Sequence, residues 1–405
     1  MKSVGVVVEY NPFHNGHAYH LNESKISADA DVVIAVMSGN FLQRGEPALL
    51  PKWNRARMAL LGGADVVVEL PYQFATQKAD TFARGAVAIL SSLGCDTLSF
   101  GSEAGNIHQF HNTLEFIEKN NHQFEEKIKS YLKQGFSYPR AFSSAFLELP
   151  QSESCVDMAK PNNILGLQYI KAVKDQHSPM KVITVPRTTS NYHDETFTSP
   201  TISSATSIRK ALLAKDNEIK DIKPYVPNST YQLLTEFFSQ ANLFHEWENY
   251  WAYLRYRLLQ VSPTELRDIY EIEEGIENRL ITMAFRSESF LDFMSQVKTK
   301  RYTWTRLQRM CVHILTNTKK QEMEEWMEKA TYIRLLGMTE KGRQYLHKRK
   351  GDMPIPLISK LSSFKERDIE LDLRAAKIYA LGAAIHTRQK LLQMEFDQPP
   401  VYLKQ

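Results

Sequence analysis

The chain has 405 residues, 43% hydrophobic and 24% charged, with a formal net charge of +4. That is an ordinary globular composition, long enough for two or three domains, and the mild positive charge admits a nucleic-acid partner without arguing for one. No apolar run approaches the ~18 residues of a membrane helix, and Val4–Val8 runs into Glu9 and histidines rather than a cleavage site. Cys95, Cys155 and Cys311 are too widely spaced for a zinc ribbon or a disulfide framework, so a reduced, cytoplasmic setting without membrane attachment is expected.

Val4–Val8 is short, β-branched and uncharged, the mark of a buried parallel strand. Asn11-Pro12 breaks it, and a helix is expected from Asn15 to about Ala28. Strand, turn and helix start bring free N–H groups and the positive helix end to one point, an anion site. His14 and His17 sit there, and Gly16 lets a flat ring approach the backbone. The pattern His14-Asn15-Gly16-His17 suits a nucleoside triphosphate whose α-phosphate gains charge during reaction. A metal pair is the other reading of these histidines, but ligand pairs on a helix usually need neighbouring Cys, His or acidic partners, and no metal site is assigned to them.

Asp31–Met37 reads as a second strand, followed by the loop Phe41–Glu46, whose Arg44 could reach a phosphate or an RNA backbone. Lys52–Leu61 reads as a helix, opened by Pro51 and closed by Gly62-Gly63, with Lys52, Arg55 and Arg57 as a basic polar face. A strand Asp65–Leu70, a helix Asp80–Leu93 and a strand Cys95–Phe100 follow. This alternation predicts an α/β, Rossmann-like doubly wound parallel sheet, with the strand ends gathered along one edge. Gly101 at that edge is either a bare-backbone rest for a ligand ring or a simple turn. Residues 106–160 depart from the alternation: helix-like periods over 111–120, 124–133 and 138–146 predict a helical insertion. Pro161-Asn162 opens another helix, and Asn162 is either its cap or a reader of an adenine edge or ribose.

Met180–Pro186 is a fifth strand that delivers Arg187 to the same edge, followed by a polar loop, Thr188–Asp194. Ile202–Lys210 opens a further helix, capped by Ser203 or Ser204, with Arg209 one to two turns in: a second phosphate cradle facing the first. Near Lys223–Pro227 the character changes, which divides the chain into a catalytic domain, 1–222, and a mostly helical one, 223–405. In the latter only a short piece within Leu392–Tyr402 reads as a strand. The segment 297–309 carries Lys298, Lys300, Arg301, Arg306 and Arg309 without an acid, interleaved with Tyr302 and Trp304. Cations neutralise phosphates and exposed rings stack unpaired bases, so RNA is the expected partner. A second basic cluster spans Lys341–Lys350.

The strings Glu9–His17, Met37–Glu46, Phe100–Glu103, Pro161–Asn163, Ile202–Ser204 with Arg209, and Lys300–Arg306 resemble those of the bacterial tRNA(Met) cytidine acetate ligases, in the nucleotidylyltransferase superfamily with its H-x-G-H motif. The resemblance covers essentially the whole chain. It implies that ATP and acetate give acetyl-adenylate and pyrophosphate. Acetyl then passes to N4 of the wobble cytidine of elongator tRNA(Met), giving N4-acetylcytidine, and acetyl-CoA is not used. It implies ATP contacts along Val7, Val8, Glu9, Tyr10, Asn11, Pro12, Phe13, His14, Asn15, Gly16, His17, Ala18, Tyr19 and His20, and at Gly101, Asn162 and Arg187. One departure from the superfamily pattern I-S-S-T-x-I-R is Ala205, which falls on its second serine when counted back from Arg209. In chemical terms His14 and His17 would donate to the α-phosphate, Arg209 with Ser203 and Ser204 would hold the outer phosphates, and magnesium would accompany the triphosphate. Nothing in the sequence sets an oligomeric state. The sequence also allows a cofactor-biosynthesis adenylyltransferase acting on a small phosphate ester, or a non-catalytic RNA-binding protein on the same nucleotide fold.

Overall fold

A computed structural model describes residues 1–150, 154–187, 203–214, 218–273, 275–361, 364 and 367–404. Eight strands form one sheet: β1 (Ser3–Val8), β2 (Val32–Ser38), β3 (Val66–Leu70), β4 (Thr97–Ser102), β5 (Lys181–Pro186), β6 (Ile333–Thr339), β7 (Leu357–Ile358) and β8 (Val401–Leu403). Their order is β5-β4-β1-β2-β3-β6-β7, with β8 paired to β6. β1 to β5 are mutually parallel. The expected doubly wound sheet is therefore present, and its strand order reverses between β1 and β4, where open α/β sheets bind ligands.

The pleat explains the two-sided burial. Along β2, Val32, Ile34 and Val36 join one core, which also takes the helices of residues 79–92 and 161–175. Val33, Ala35 and Met37 point to the other, with the helices of residues 52–61 and 228–241. The expected insertion is the helices Ile107–Lys119, Asn121–Lys133 and Tyr138–Leu147, which pack Phe110, Phe124, Ala141 and Phe146 onto the first core. A third core belongs to the helical half but takes in Phe41 and Tyr72 from the first half.

The C-terminal half is mostly helical, yet it returns to the sheet. β6 runs antiparallel to β3, with Val66 opposite Met338 and Val67 opposite Gly337. The sequence reading had no strand here: a single short apolar run, interrupted by Arg334, stands among long helical patterns. Most of the piece expected as a strand within Leu392–Tyr402 belongs to the helix Ile385–Asp397 and the turn after it, and β8 follows at Val401.

The helix Lys52–Leu61 corrects a second expectation. Lys52 and Arg55 are not a solvated face: they are 1% and 0% exposed. Lys52 Nζ donates to both oxygens of Glu69 at 2.8 and 2.7 Å and to Glu395 at 2.7 Å. Arg334 from β6 pairs with the same Glu395. Buried charges persist only when paired, and this cluster ties the C-terminal helix to the sheet. Among the described residues no helix is long and apolar enough to cross a membrane.

Candidate active site

Past β1 the chain turns at Tyr10, whose φ of +48° is left-handed, and enters the Asn15–Ser27 helix with His14 as N-cap. The Gly16 N–H donates to His14 Nδ1 at 3.1 Å, and the His14 N–H donates to His17 Nδ1 at 3.3 Å. The two rings lie 3.7 Å apart at 30°. Each Nδ1 is thus an acceptor, which leaves the proton of each neutral ring on Nε2. Burial, then the positive charge of Arg187 and Arg209, lowers the His14 pKa to about 3. Burial and then His14 itself hold His17 well below its ordinary value. At neutral pH the pair offers two Nε2–H donors rather than two charges.

The second cradle meets this one. Ser204, not Ser203, caps the Ala205–Leu213 helix: its Oγ accepts the Ser207 N–H at 3.0 Å. Ser203 is buried beside it. From this helix Arg209 donates to the Asn11 carbonyl at 3.0 Å and pairs with Glu46 at 3.1 Å. Ile202 and the loop Thr188–Asp194 lie outside the described residues. Arg187 is exposed at the end of β5, its N–H on the Ser102 carbonyl at 3.0 Å. Arg187 and His20 lie over Gly101, where an added Cβ would meet them in van der Waals contact at 3.6 and 3.7 Å. Burial, then Arg187, lowers the His20 pKa to about 4. The Asn162 amide donates to Glu103 at 2.7 Å, while Glu103 also accepts the Asn163 N–H at 3.0 Å, so Glu103 covers that helix start.

His14, His17, His20, Gly101, Asn162, Arg187, Ser204 and Arg209 line one cleft of about 1810 Å³. It exceeds the 300–1,000 Å³ of common small-molecule pockets. Val7, Val8, Glu9, Tyr10, Asn11, Gly16, Tyr19 and Arg44 also face it. Pro12, Phe13, Asn15, Ala18 and Ser203 are not in its lining; Phe13 is core, under Gly62.

The basic segment divides. Arg301, Arg306 and Arg309 line the same cleft as the histidines, whereas Lys298, Lys300, Tyr302 and Trp304 do not. Lys298, Lys300 and Arg301 are exposed. Arg306 pairs with Glu273, and Arg301 stands 3.8 Å from the same carboxylate. Arg309 is buried and held by Glu271 at 2.8 Å, which corrects its reading as a free surface cation. Tyr302 is 5% exposed, so its ring is core under Arg301 and Arg306 and not a surface for stacking bases. Trp304 is half-buried. The second basic cluster rides on the helix Glu340–Arg349, whose Tyr345 hydroxyl meets Ser3 and the Leu93 carbonyl. It flanks the start of β1, at the sheet edge opposite the cleft.

A model of the HIGH Nucleotidyl Transferase family matches residues 1–394. The tRNA(Met) cytidine acetate ligase of Halalkalibacterium halodurans is 48% identical over 405 residues, covering 99% of this chain and 97% of that protein. The chain belongs to the tRNA(Met) cytidine acetate ligase family. The family member of Bacillus subtilis is 47% identical over 405 residues, 99% of this chain and 97% of its own. The crystal structure of apo Thermotoga maritima TmcAL superposes with a TM-score of 0.92 at 31% identity, covering 100% of both chains. The same protein bound with alpha-thio ATP gives 0.90.

Three supporting residues were missed in the sequence. Arg55 donates to the carbonyls of Glu9 at 2.7 Å, Ser38 at 3.1 Å and Leu50 at 3.0 Å, and also to Gly39, fixing the ends of β1 and β2 beside each other. The Gln43 N–H holds the Glu9 carboxylate at 2.8 Å. Glu46 orients Arg209. The available signal was charge at i and i+3 on a helix otherwise rich in Ala, Leu and Met, and the polar loop at a strand end.

Proposed function

We propose that this chain activates acetate with ATP and transfers the acetyl group to N4 of the wobble cytidine of elongator tRNA(Met), giving N4-acetylcytidine. The observation that carries the reading is the meeting of the paired Nε2–H donors and the Arg301–Arg306 lip in one cleft. In the first step an acetate oxygen attacks the α-phosphorus. The bond to the β-phosphate oxygen breaks, and pyrophosphate leaves with the electron pair. His14 and His17 hold the α-phosphate as charge spreads over it, and Arg209 with the Ser204 helix start takes the departing phosphates. Ser203, Gly101, Asn162 and Arg187 belong to the nucleotide site in this reading. Among the described residues no cluster of three His, Cys, Asp or Glu could hold a metal. Magnesium would therefore arrive on the triphosphate, where it screens phosphate charge.

In the second step the cytidine amine attacks the acetyl carbonyl, AMP leaves, and the N4 proton is lost. The base must leave its stack to reach the adenylate. The lip formed by Arg301, Arg306 and Arg44, with Lys298 and Lys300 beyond it, would hold the phosphates around it. The half-exposed Trp304 offers a stacking face next to them. Chemistry falls to residues 1–222 and RNA holding to helices of 223–405, in the cytoplasm and without acetyl-CoA. An adenylyltransferase for a small phosphate ester is not favoured: the full-length relatives are ligases, and such an enzyme needs no RNA lip.

The test is acetate-dependent ATP–pyrophosphate exchange in the absence of RNA, paired with tRNA binding at low salt. Exchange that requires acetate is expected. Charge reversal at Arg301 and Arg306 should weaken tRNA binding at least tenfold and leave exchange in place. No exchange with acetate, or no tRNA binding by the unaltered protein, would refute the reading.

A further inference from the structure

The helical insertion takes no part in the chemistry above, yet it forms one wall of the cleft. Asn121, Tyr138, Arg140 and Phe142 line it together with Arg301 and Arg306. Phe124 and Ile128 of that wall are packed in the core, whereas Tyr138 is 59% exposed and Arg140 also stands in solvent. Neither of these two is loose. The Arg140 guanidinium lies over the Phe136 ring, 4.2 Å from its centroid, a cation–π contact that orients it. The Tyr138 ring leans on Phe142 at 6.2 Å, and Phe142 is edge-on to Phe124 at 4.9 Å. Each group is therefore backed on one side and open on the other.

Among the described residues Arg140 has no carboxylate partner. The acids on its wall are engaged elsewhere: Glu118 pairs with Lys174 at 2.7 Å and Glu125 stands 3.8 Å from Lys129. One carboxylate connects this wall to the arginines opposite. Burial, then Asp80, pushes the Tyr138 phenol up, and burial followed by Glu271 and Asp80 raises Tyr270. Tyr270 adjoins Glu271, which holds Arg309 one turn from Arg306. Asp80 is thus near enough to act on both walls. An open ring beside an oriented, unpaired guanidinium suits unpaired RNA: the ring stacks on a base and the cation takes a phosphate. A cytidine that leaves its stack bares the faces of its neighbours. Resting on the ligase reading above, we propose that Tyr138 and Arg140 form a second RNA wall of the cleft, which takes the unpaired anticodon-loop nucleotides flanking the extruded cytidine. RNA holding is then shared between the insertion and the helical half, and the loop is gripped from both sides.

The test is binding of elongator tRNA(Met), and of its anticodon stem-loop as a separate hairpin, by fluorescence anisotropy over a range of salt. Tyr138→Ala should weaken both RNAs about tenfold, the loss expected for one stacked base. Tyr138→Phe keeps the ring and should stay within about twofold of the unaltered protein. Arg140→Ala should weaken binding and lower the slope of log affinity against log salt by about one. The melting temperature and acetate-dependent ATP–pyrophosphate exchange without RNA should be unchanged in all three. Affinities within about twofold of the unaltered protein in both Tyr138→Ala and Arg140→Ala would overturn the assignment. So would equal losses in Tyr138→Phe and Tyr138→Ala, or a loss for the intact tRNA that the hairpin does not show, which would move the contact away from the loop. An unaltered protein that binds no tRNA would overturn the ligase reading itself, a result distinct from normal affinity in the two alanine variants.

Discussion

His14 has two jobs that one pair of substitutions separates. Its Nδ1 caps the Asn15–Ser27 helix by accepting the Gly16 N–H. Its Nε2–H is the donor assigned to the α-phosphate. His14→Ala removes both: loss of a cap costs about 1 kcal/mol of stability, and loss of one preorganised donor costs about 3–4 kcal/mol of transition-state stabilisation, or 10²–10³ in rate. His14→Asn restores a capping oxygen, since Asn is among the best N-caps, but its short side chain cannot reach where the imidazole Nε2 stood. Melting temperature and single-turnover formation of acetyl-adenylate from ATP and acetate are the measurements. The expected result is normal stability in His14→Asn, reduced stability in His14→Ala, and a rate at least 100-fold down in both, with tRNA affinity nearly unchanged. A His14→Asn rate within about threefold of the unaltered protein would show that the ring matters for the cap and not for the phosphate.

The loop Phe41–Glu46 predicts coupling between the two halves. Gly45 has φ +76°, and an added Cβ would lie 2.3 Å from the Arg309 backbone nitrogen. The Trp247 indole also donates to its carbonyl at 3.0 Å. Gly45→Ala should cost roughly 2–5 kcal/mol, combining left-handed strain with overpacking. Because the loop also carries Gln43 and Glu46, adenylation should slow in whatever protein still folds, as read by melting temperature and exchange rate. Acid should destabilise the protein steeply. Burial lowers His14, His245 and His313 to about 3 and His20 to about 4. These folded-state values lie below the unfolded one, so the unfolded chain binds more protons below pH ~6.5. Their stabilisation is complete above that pH and drains as pH falls; at pH 5.5 the four together withdraw roughly 5 kcal/mol. Equal melting temperatures at pH 7.5 and 5.5 would refute these neutral, buried states.

The first half of the fold was legible because its signals are local. β1 to β5 announce themselves as short β-branched runs, and the turn residues after them place His14, His17, Gly101 and Arg187 at one edge. The Lys52–Leu61 helix was also placed correctly, but its charges were misread: a lysine and an arginine on a helix look solvated until Glu69, Glu9 and Glu395 are brought to them from other elements. The same limit applies to β6, whose partner β3 lies far away in sequence. Of the basic segment, the sequence identified the cations but not their neighbours, and Glu271 and Glu273 decide which arginines remain available. Tyr302 shows the converse, a ring whose position among cations suggested stacking on RNA while its packing makes it core.

The central claim is that one cleft joins acetate to a tRNA cytidine through an adenylate. The most direct measurement is incubation of the protein with ATP, isotopically labelled acetate and a tRNA pool, followed by nucleoside mass analysis. The account predicts label in N4-acetylcytidine from elongator tRNA(Met), dependent on both ATP and acetate and undiminished by excess unlabelled acetyl-CoA. Label that is diluted by acetyl-CoA, or no labelled nucleoside at all, would contradict it.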